Sequence, residues 1–518
     1  MSVQILSPSE AVALIPDGAT VCIGGGGAGH AVPDRLLQAL GERFVSTQEP
    51  RNLTVIHPCG IGDSAERGLS HIAYPGLIRR VAGGFWGNSL KMVELAKNDE
   101  IEAYNLPQGV LSHLTRAAAS GVPGVITETG LHTFVDPRVE GGRLSPSATE
   151  DLVKVIEIEG REFLFYPTPS VDVGLIRGSS IDREGNLSME NEVGTFSMLS
   201  IAQAAKRNQG KVIAQVKQVR DTEKTPPVHV KVPSVLIDAV VVEPDQGMTF
   251  LSPSEPALIR RDEPYDPGSL KLKEIPRVVA KRSSLELRRG DFVNVGYGMS
   301  DGVPIVARQE GITDLLVFLI EQGAIGGIPT TGLTFGAMYQ PLAILDDSYQ
   351  FDYFHGGGLD IAFLGFAQID RKGNVNSSRF GPFITGCGGF IDISQNARRV
   401  VYCGSFAVKS VSQVNNGELE ITEPGKKRKF VDQVEQVTFS GPYSLEKGQE
   451  VLYVTERAVF KLTTQGLQLK EIAPGIDLER DVLGMMEFAP EVSSELKTMD
   501  SRCFADLPLD LRSRIQSS

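Results

Sequence analysis

The feature that most constrains this chain is that it repeats itself. Val171-Asp172 through Ile181-Asp182-Arg183-Glu184-Gly185-Asn186 is matched by Leu359-Asp360 through Ile369-Asp370-Arg371-Lys372-Gly373-Asn374, at an offset of 188 residues. The same offset pairs Lys211-Val212-Ile213-Ala214 with Arg399-Val400-Val401-Tyr402. Upstream, Asp17-Gly18-Ala19-Thr20-Val21-Cys22-Ile23-Gly24 has a cousin in Arg289-Gly290-Asp291-Phe292-Val293-Asn294-Val295-Gly296. That offset is 272, so the first copy carries extra length. Units this long are not solenoid repeats. They are one domain used twice, and 518 residues accommodate two large domains.

Local signals say what kind of domain it is. Ser7, Pro8 and Glu10 form a capping box that opens a helix, which stops at Pro16-Asp17-Gly18. Ala19–Ile23 is a short buried strand, Pro33 opens a helix with Leu36, Leu37, Leu40 and Phe44 on one face, and Asn52–Ile56 is the next strand. Strands alternating with helices require crossovers and therefore parallel strands. The expected fold class is α/β, with two duplicated open α/β domains, mostly parallel sheets, and a β-rich C-terminal part in the second. Lys224-Thr225-Pro226-Pro227, Ser252-Pro253-Ser254-Glu255-Pro256 and Asp262-Glu263-Pro264-Tyr265-Asp266-Pro267 mark a Pro-rich crossing. The expected division is residues 1–230, a linker over 231–275, and 276–518.

Charge and cysteine usage remove several function classes. A net charge of −13 argues against nucleic acid or an anionic membrane surface as partner. No window approaches 18 apolar residues, and the N-terminal Met1-Ser2-Val3-Gln4-Ile5-Leu6 lacks a signal-peptide pattern, so a cytoplasmic protein is expected. Cys22, Cys59, Cys387, Cys403 and Cys503 are an odd set without metal-ligand spacing, read as reduced buried thiols. Glycine, at 55 residues, is about 11% against the usual roughly 7%. Such a surplus implies places where backbone must approach something closely.

The glycines cluster at strand ends. Gly24-x-Gly26-x-x-Gly29 stands between a strand and a helix, as a dinucleotide fingerprint requires, yet the second strand runs into His57-Pro58-Cys59 with no acid for a ribose. That loop therefore reads as a dinucleotide site, as plain close packing, or as a bed for another anionic or acyl ligand. Leu315–Ile320 is a continuous apolar run, the mark of a strand buried on both faces, and it delivers Glu321 to the edge where α/β proteins bind ligands. A carboxylate there acts as base or nucleophile. Gly296-Tyr297-Gly298, Gly356-Gly357-Gly358-Leu359-Asp360 and Gly386-Cys387-Gly388-Gly389-Phe390 flank it in sequence, and Pro107-Gln108-Gly109 offers an amide before a helix.

In this order, the motifs resemble those of the family I CoA-transferases, of the single-chain acetate/propionate type with fused α and β subunits. The resemblance runs over essentially the whole chain. It implies that Glu321 is the nucleophile that becomes a glutamyl-CoA thioester and that Gln108 helps form the oxyanion hole. A backbone N–H of the Gly388-Gly389 pair would be the second donor. Gly24, Gly25, Gly26, Gly296, Gly298, Gly323, Gly357 and Gly358 would line the substrate and CoA. It implies no resident cofactor and no metal, coenzyme A as substrate and covalent intermediate, and a homodimer or homotetramer. The departures lie at the acyl pocket: Gly26 replaces a Phe, His30 a Gly, and Ile320-Glu321-Gln322-Gly323 stands for Ser-Glu-Asn-Gly. The reading is short-chain CoA transfer by a ping-pong route. Its rivals are an NAD-dependent dehydrogenase on the Gly24–Gly29 loop and a non-catalytic acyl-CoA-binding protein. Glu190 and Glu192 read as solvated or interdomain acids, Lys426–Lys429 as a solvated basic turn, and His57, His113 and His132 as packing or surface residues.

Overall fold

The computed structural model describes residues 3–222, 224–265 and 272–517. Met1, Ser2 and the Asp266-Pro267 end of the expected crossing lie outside the described residues.

Eight strands make the path of the first sheet: β1 (Gln4–Ile5), β2 (Thr20–Ile23), β3 (Leu53–His57), β4 (Ile78–Gly83), β5 (Glu102–Asn105), β6 (Val173–Asp182), β7 (Lys211–Arg220) and β8 (Ala239–Val242). Their spatial order is β1-β8-β7-β6-β2-β3-β4-β5, every neighbouring pair parallel, with Leu187–Ser188 as an antiparallel spur on β6. The capping box at Ser7 forms as read, opening helix α1 (Pro8–Val12). Helix α2 (Asp34–Thr47) buries Leu36, Leu37, Leu40 and Phe44.

The second sheet is built from β9 (Phe292–Val295), β10 (Val317–Leu319), β11 (Ala324–Ile325), β12 (Ala343–Ile344), β13 (Ile361–Gly365), β14 (Arg399–Cys403), β15 (Glu450–Val454), β16 (Ala458–Thr463), β17 (Gly466–Ile472) and β18 (Glu491–Thr498). The order is β12-β11-β10-β9-β13-β14-β15-β16-β17-β18. Strands β10 to β15 along this path are parallel, and β11 and β16 join antiparallel. The β-rich tail thus extends the second sheet. Both sheets bury continuous cores in which Val, Ile, Leu and Ala dominate the parallel strands.

Two expectations are corrected here. The stretch 231–275 is not only a crossing: β8 lies inside it and is a member of the first sheet, because Ala239–Val242 is a fully apolar run that pairs with Ile213–Val216. The run 315–320 gives a strand of only Val317–Leu319, since Thr313–Leu315 closes as a 3₁₀ turn.

Candidate active site

Glu321 is held at a tight corner two residues beyond β10. The Gly323 N–H donates to Ile320 O at 2.9 Å and the Ile320 N–H to Ala324 O at 3.0 Å, so Glu321 and Gln322 form the tip. Gly323 has φ +108°, and a side chain there would lie 2.1 Å from Leu345 O, so the corner needs glycine. From β9, Asn294 Nδ2 donates to Leu319 O at 2.9 Å and fixes the strand below the acid. Glu321 is 7% exposed. Its Oε1 accepts from Gln322 Nε2 at 3.3 Å, and its Oε2 has no partner among the described residues. Burial pushes the carboxyl up to about 7, against hydrogen bonds from its own backbone and the Gln322 and Asn294 amides, with the Asp392 charge adding to the rise.

The facing wall comes from the first half. Strand β5 ends in Asn105, and after Leu106-Pro107 helix α3 (Gln108–Ser120) begins. The first N–H groups of a helix lack intrahelical partners. Here the second half supplies them: the Gln108 N–H donates to Gly388 O at 2.9 Å and the Gly109 N–H to Asp392 Oδ2 at 3.1 Å. Asn105 stitches the same seam, accepting the Cys387 N–H at 2.8 Å and donating to Gly83 O and Gly84 O at 2.8 and 2.6 Å. The Gly388 N–H donates to Gly84 O at 2.8 Å and is therefore occupied. The Gly389 N–H has no acceptor among the described hydrogen bonds, and a Cβ on Gly389 would lie 3.4 Å from Glu321 Cγ. Gln108 is buried with its Nε2 unpartnered among the described residues, and its Oε1 lies 3.8 Å from where a Cβ of Gly388 would stand. Carboxylate, side-chain amide and backbone N–H border one pair of glycines. Three polar groups converge there with hydrogen-bonding capacity unspent.

The other candidate glycines divide. Gly296 and Gly298 follow β9 at the carboxyl edge beside Glu321; Gly298 (φ +112°) faces open space, whereas a side chain at Gly296 would meet Leu364 at 2.9 Å. Gly24, Gly25 and Gly26 also stand at a carboxyl edge, after β2, but their bare faces are filled by the protein itself. Side chains there would strike Met198 Sδ at 2.5 Å, Ala31 O at 2.7 Å and Cys59 Sγ at 2.5 Å. Close packing by itself therefore accounts for glycine at these three positions. Gly357 and Gly358 precede β13, at the opposite edge of the parallel sheet from Glu321, because β13 and β10 both run parallel to β9. They do not join the site.

Several other residues move as well. Glu192 is not solvated: it is buried in a two-pronged ion pair with Arg177, at 3.1 and 3.0 Å. His30 and His57 are buried and held neutral, burial lowering each to about 4. In the basic turn, Lys429 lies 4.7 Å over the Phe366 ring, and burial lowers its ammonium to about 8. Sequence reasoning missed Gly84, Asn105 and Asn294, whose roles rest on tertiary hydrogen bonds. The run Gly83-Gly84-Phe85-Trp86-Gly87, with the chain's only tryptophan, was the visible signal for the first.

An open, duplicated α/β fold with a buried strand-end glutamate at the seam of its halves defines a class. Residues 5–243 match the model of the family described as Coenzyme A transferase. The chain is 43% identical over 508 residues to acetate CoA-transferase YdiF of Escherichia coli (strain K12), covering 97% of this chain and 96% of that protein. It is 40% identical over 518 residues to caffeate CoA-transferase of Acetobacterium woodii, covering 97% and 98%. The crystal structure of the YdiF apoenzyme from E. coli O157:H7 superposes with a TM-score of 0.94, at 42% identity and 98% and 97% coverage. A thioester complex of that YdiF with CoA matches with the same TM-score. The chain belongs to the CoA-transferase family and is a CoA-transferase. No helix among the described residues is long and apolar enough to cross a membrane.

Proposed function

We propose that this enzyme moves CoA between short-chain acyl-CoA and short-chain carboxylates through a glutamyl-CoA thioester on Glu321. The carrying observation is the convergence at Gly388-Gly389 of the Glu321 carboxylate, the unpartnered Gln108 Nε2 and the unclaimed Gly389 N–H. The names of the relatives, acetate and caffeate CoA-transferase, support the reaction and leave the acyl group open.

In the first step Glu321 Oε2 attacks the thioester carbonyl, the C–S bond breaks, and a mixed anhydride and CoA thiolate result. The thiolate then attacks the glutamyl carbonyl, releasing the first carboxylate and leaving glutamyl-CoA. A second carboxylate reverses the two steps, so the kinetics are ping-pong. The Gln108 amide and the Gly389 N–H donate to the oxygen that gains charge; of the pair, Gly389 is the donor because Gly388 already serves Gly84. Burial serves this chemistry twice. It keeps water from a reactive anhydride, and it leaves the carboxylate poorly solvated and so more nucleophilic. CoA is substrate and covalent partner here, with no cofactor resident.

Mass spectrometry after incubation with acetyl-CoA and reduction with borohydride tests the reading. A Glu321 reduced to the alcohol is the expected result. A Glu321 peptide left unmodified during turnover would overturn it.

A further inference from the structure

The amide at Gln108 depends on how the first turn of its helix is held, and beside the bond from the Gln108 N–H to Gly388 O a buried carboxylate holds that turn. Asp392 lies on helix α5 (Phe390–Ser394), three residues after Gly389, and its side chain is fully buried. One oxygen accepts the Gly109 N–H at 3.1 Å, and the other faces His355 Nε2 at 2.8 Å. The contact is tight: a side chain at Gly109 would lie 2.6 Å from Asp392 Oδ1 and 2.5 Å from the Phe351 ring. A buried carboxylate with only one of its oxygens satisfied is costly and shifts to find partners. His355 supplies that second partner.

His355 ends helix α4 (Asp347–His355), which packs against α3 across the seam. Its ring meets His113 edge-on, centroids 5.0 Å apart at 86°, and His113 stands one helical turn after Gly109. His113 Nε2 in turn contacts Ser348 O at 3.1 Å and Asp352 at 2.9 Å, while Arg116 pairs with Asp352 at 2.8 Å. So the groups facing His355 are Asp392 from α5, His113 from α3 and Phe351 from its own helix. We propose that His355 is a positioning residue for the oxyanion hole, holding Asp392 against the Gly109 N–H and thereby aiming the Gln108 amide at the reacting carbonyl. The proposal rests on the role given to Gln108 above.

The position is reachable from outside. His355 is 14% exposed through its side chain and lines a cavity of about 700 Å³ at the amino edge of the second sheet, with Gly356, Gln395 and Lys447. Imidazole can therefore enter the space left by a His355→Ala variant. A displaced donor costs up to about a hundredfold in rate, and a lost one about a hundred- to a thousandfold.

The test is the steady-state exchange of CoA between acetyl-CoA and carboxylate. His355→Ala should lower kcat by about ten- to a hundredfold with KM for acetyl-CoA changed less than about twofold. Added imidazole should recover part of the loss. His355→Gln, whose amide reaches where Nε2 stood, should keep most of the activity, and His355→Asn, which is shorter, should not. In a Gln108→Ala background, His355→Ala should cost almost nothing more, because the group it aims is gone. Wild-type kcat in His355→Ala beside a crippled Gln108→Ala overturns this proposal alone. So does a loss that neither imidazole nor Gln repairs and that adds in full to Gln108→Ala. A wild-type rate in Gln108→Ala overturns the oxyanion reading and this one with it. Should His355→Ala fail to fold, the Gln and Asn pair decides.

Discussion

The two halves of the molecule share five strands in one order, β8-β7-β6-β2-β3 in the first and β15-β14-β13-β9-β10 in the second. They share a turn as well: Asp182 accepts the N–H groups of Glu184 and Asn186, and Asp370 those of Lys372 and Asn374. The halves part company beyond the fifth strand. Two residues after β3 stands Cys59, and the sheet goes on with parallel β4 and β5, which bring Gly84 and Gln108. Two residues after β10 stands Glu321, and the chain turns back as antiparallel β11. The two strand ends approach across the seam, where Gln322, the residue after Glu321, places its Nε2 3.9 Å from Cys59 Sγ. Duplication supplied a frame twice, and in the function proposed above the chemistry draws on both copies: the second carries Glu321 and the Gly389 N–H, the first the Gln108 amide.

The sharpest way to break this comparison is to exchange the roles of the two strand-end residues. Glu321→Ala should abolish CoA exchange, a loss of about 10⁴-fold or more, as expected for a covalent nucleophile. Cys59→Ala should stay within about tenfold, since burial pushes that thiol up to about 12 and leaves it protonated. Comparable losses in both would mean that the halves are functionally symmetric. Next in size is Gln108→Ala, with an expected fall in kcat of about a hundred- to a thousandfold and a smaller change in KM. An equal rise in KM with kcat untouched would make Gln108 a ground-state binder instead.

The frame was legible in the sequence because it is written in local patterns. The 188-residue offset exposed the duplication, apolar runs marked the parallel strands, and Glu321 stood at a strand end. The site was half legible. Glu321, Gln108 and the Gly388-Gly389 pair came from motif resemblance, and the structure brings them together. Gly357 and Gly358 fell on the wrong side, because a glycine motif in one dimension does not say at which edge of the sheet it stands. Asn105, Asn294 and His355 were invisible, since their partners are backbone or carboxylate groups between 21 and 282 residues away.

A third prediction concerns the cost of keeping a carboxylate in that seam. The ordinary glutamate value is 4.5, and burial raises Glu321 to about 7. The folded state then binds the proton more tightly than the unfolded one, so stability falls as pH rises from about 4.5 to about 7 and stays reduced above. The difference is on the order of 3 kcal/mol. Glu321→Gln should therefore gain on the wild type as pH rises through that window, read as a urea midpoint that moves apart from the wild type's. A constant gap from about pH 4 to about pH 8 would show that the carboxyl is not so raised. Transfer by the wild type should rise through the same window, because only the ionised carboxylate attacks.

The smallest expected effect returns to the turn the halves share. Burial pushes both Asp182 and Asp370 up, and hydrogen bonds pull both down. For Asp182 the bonds win, with Thr225 adding a third backbone N–H at 2.9 Å, and its carboxyl sits below the ordinary value. For Asp370 burial wins, and its carboxyl sits above. The signs of linkage are therefore opposite. Asp182 stabilises above its unfolded value of 3.8 and loses that contribution as pH falls below it, so Asp182→Asn should be more destabilising at about pH 7 than at about pH 2. Asp370 weighs against folding as it ionises, so Asp370→Asn should be less destabilising at about pH 7 than at about pH 4. Both variants should cost about 1–3 kcal/mol at their worse pH, and neither should alter kcat. Parallel pH slopes in the two would mean that the duplicated turns have kept the same electrostatics as well as the same bonds.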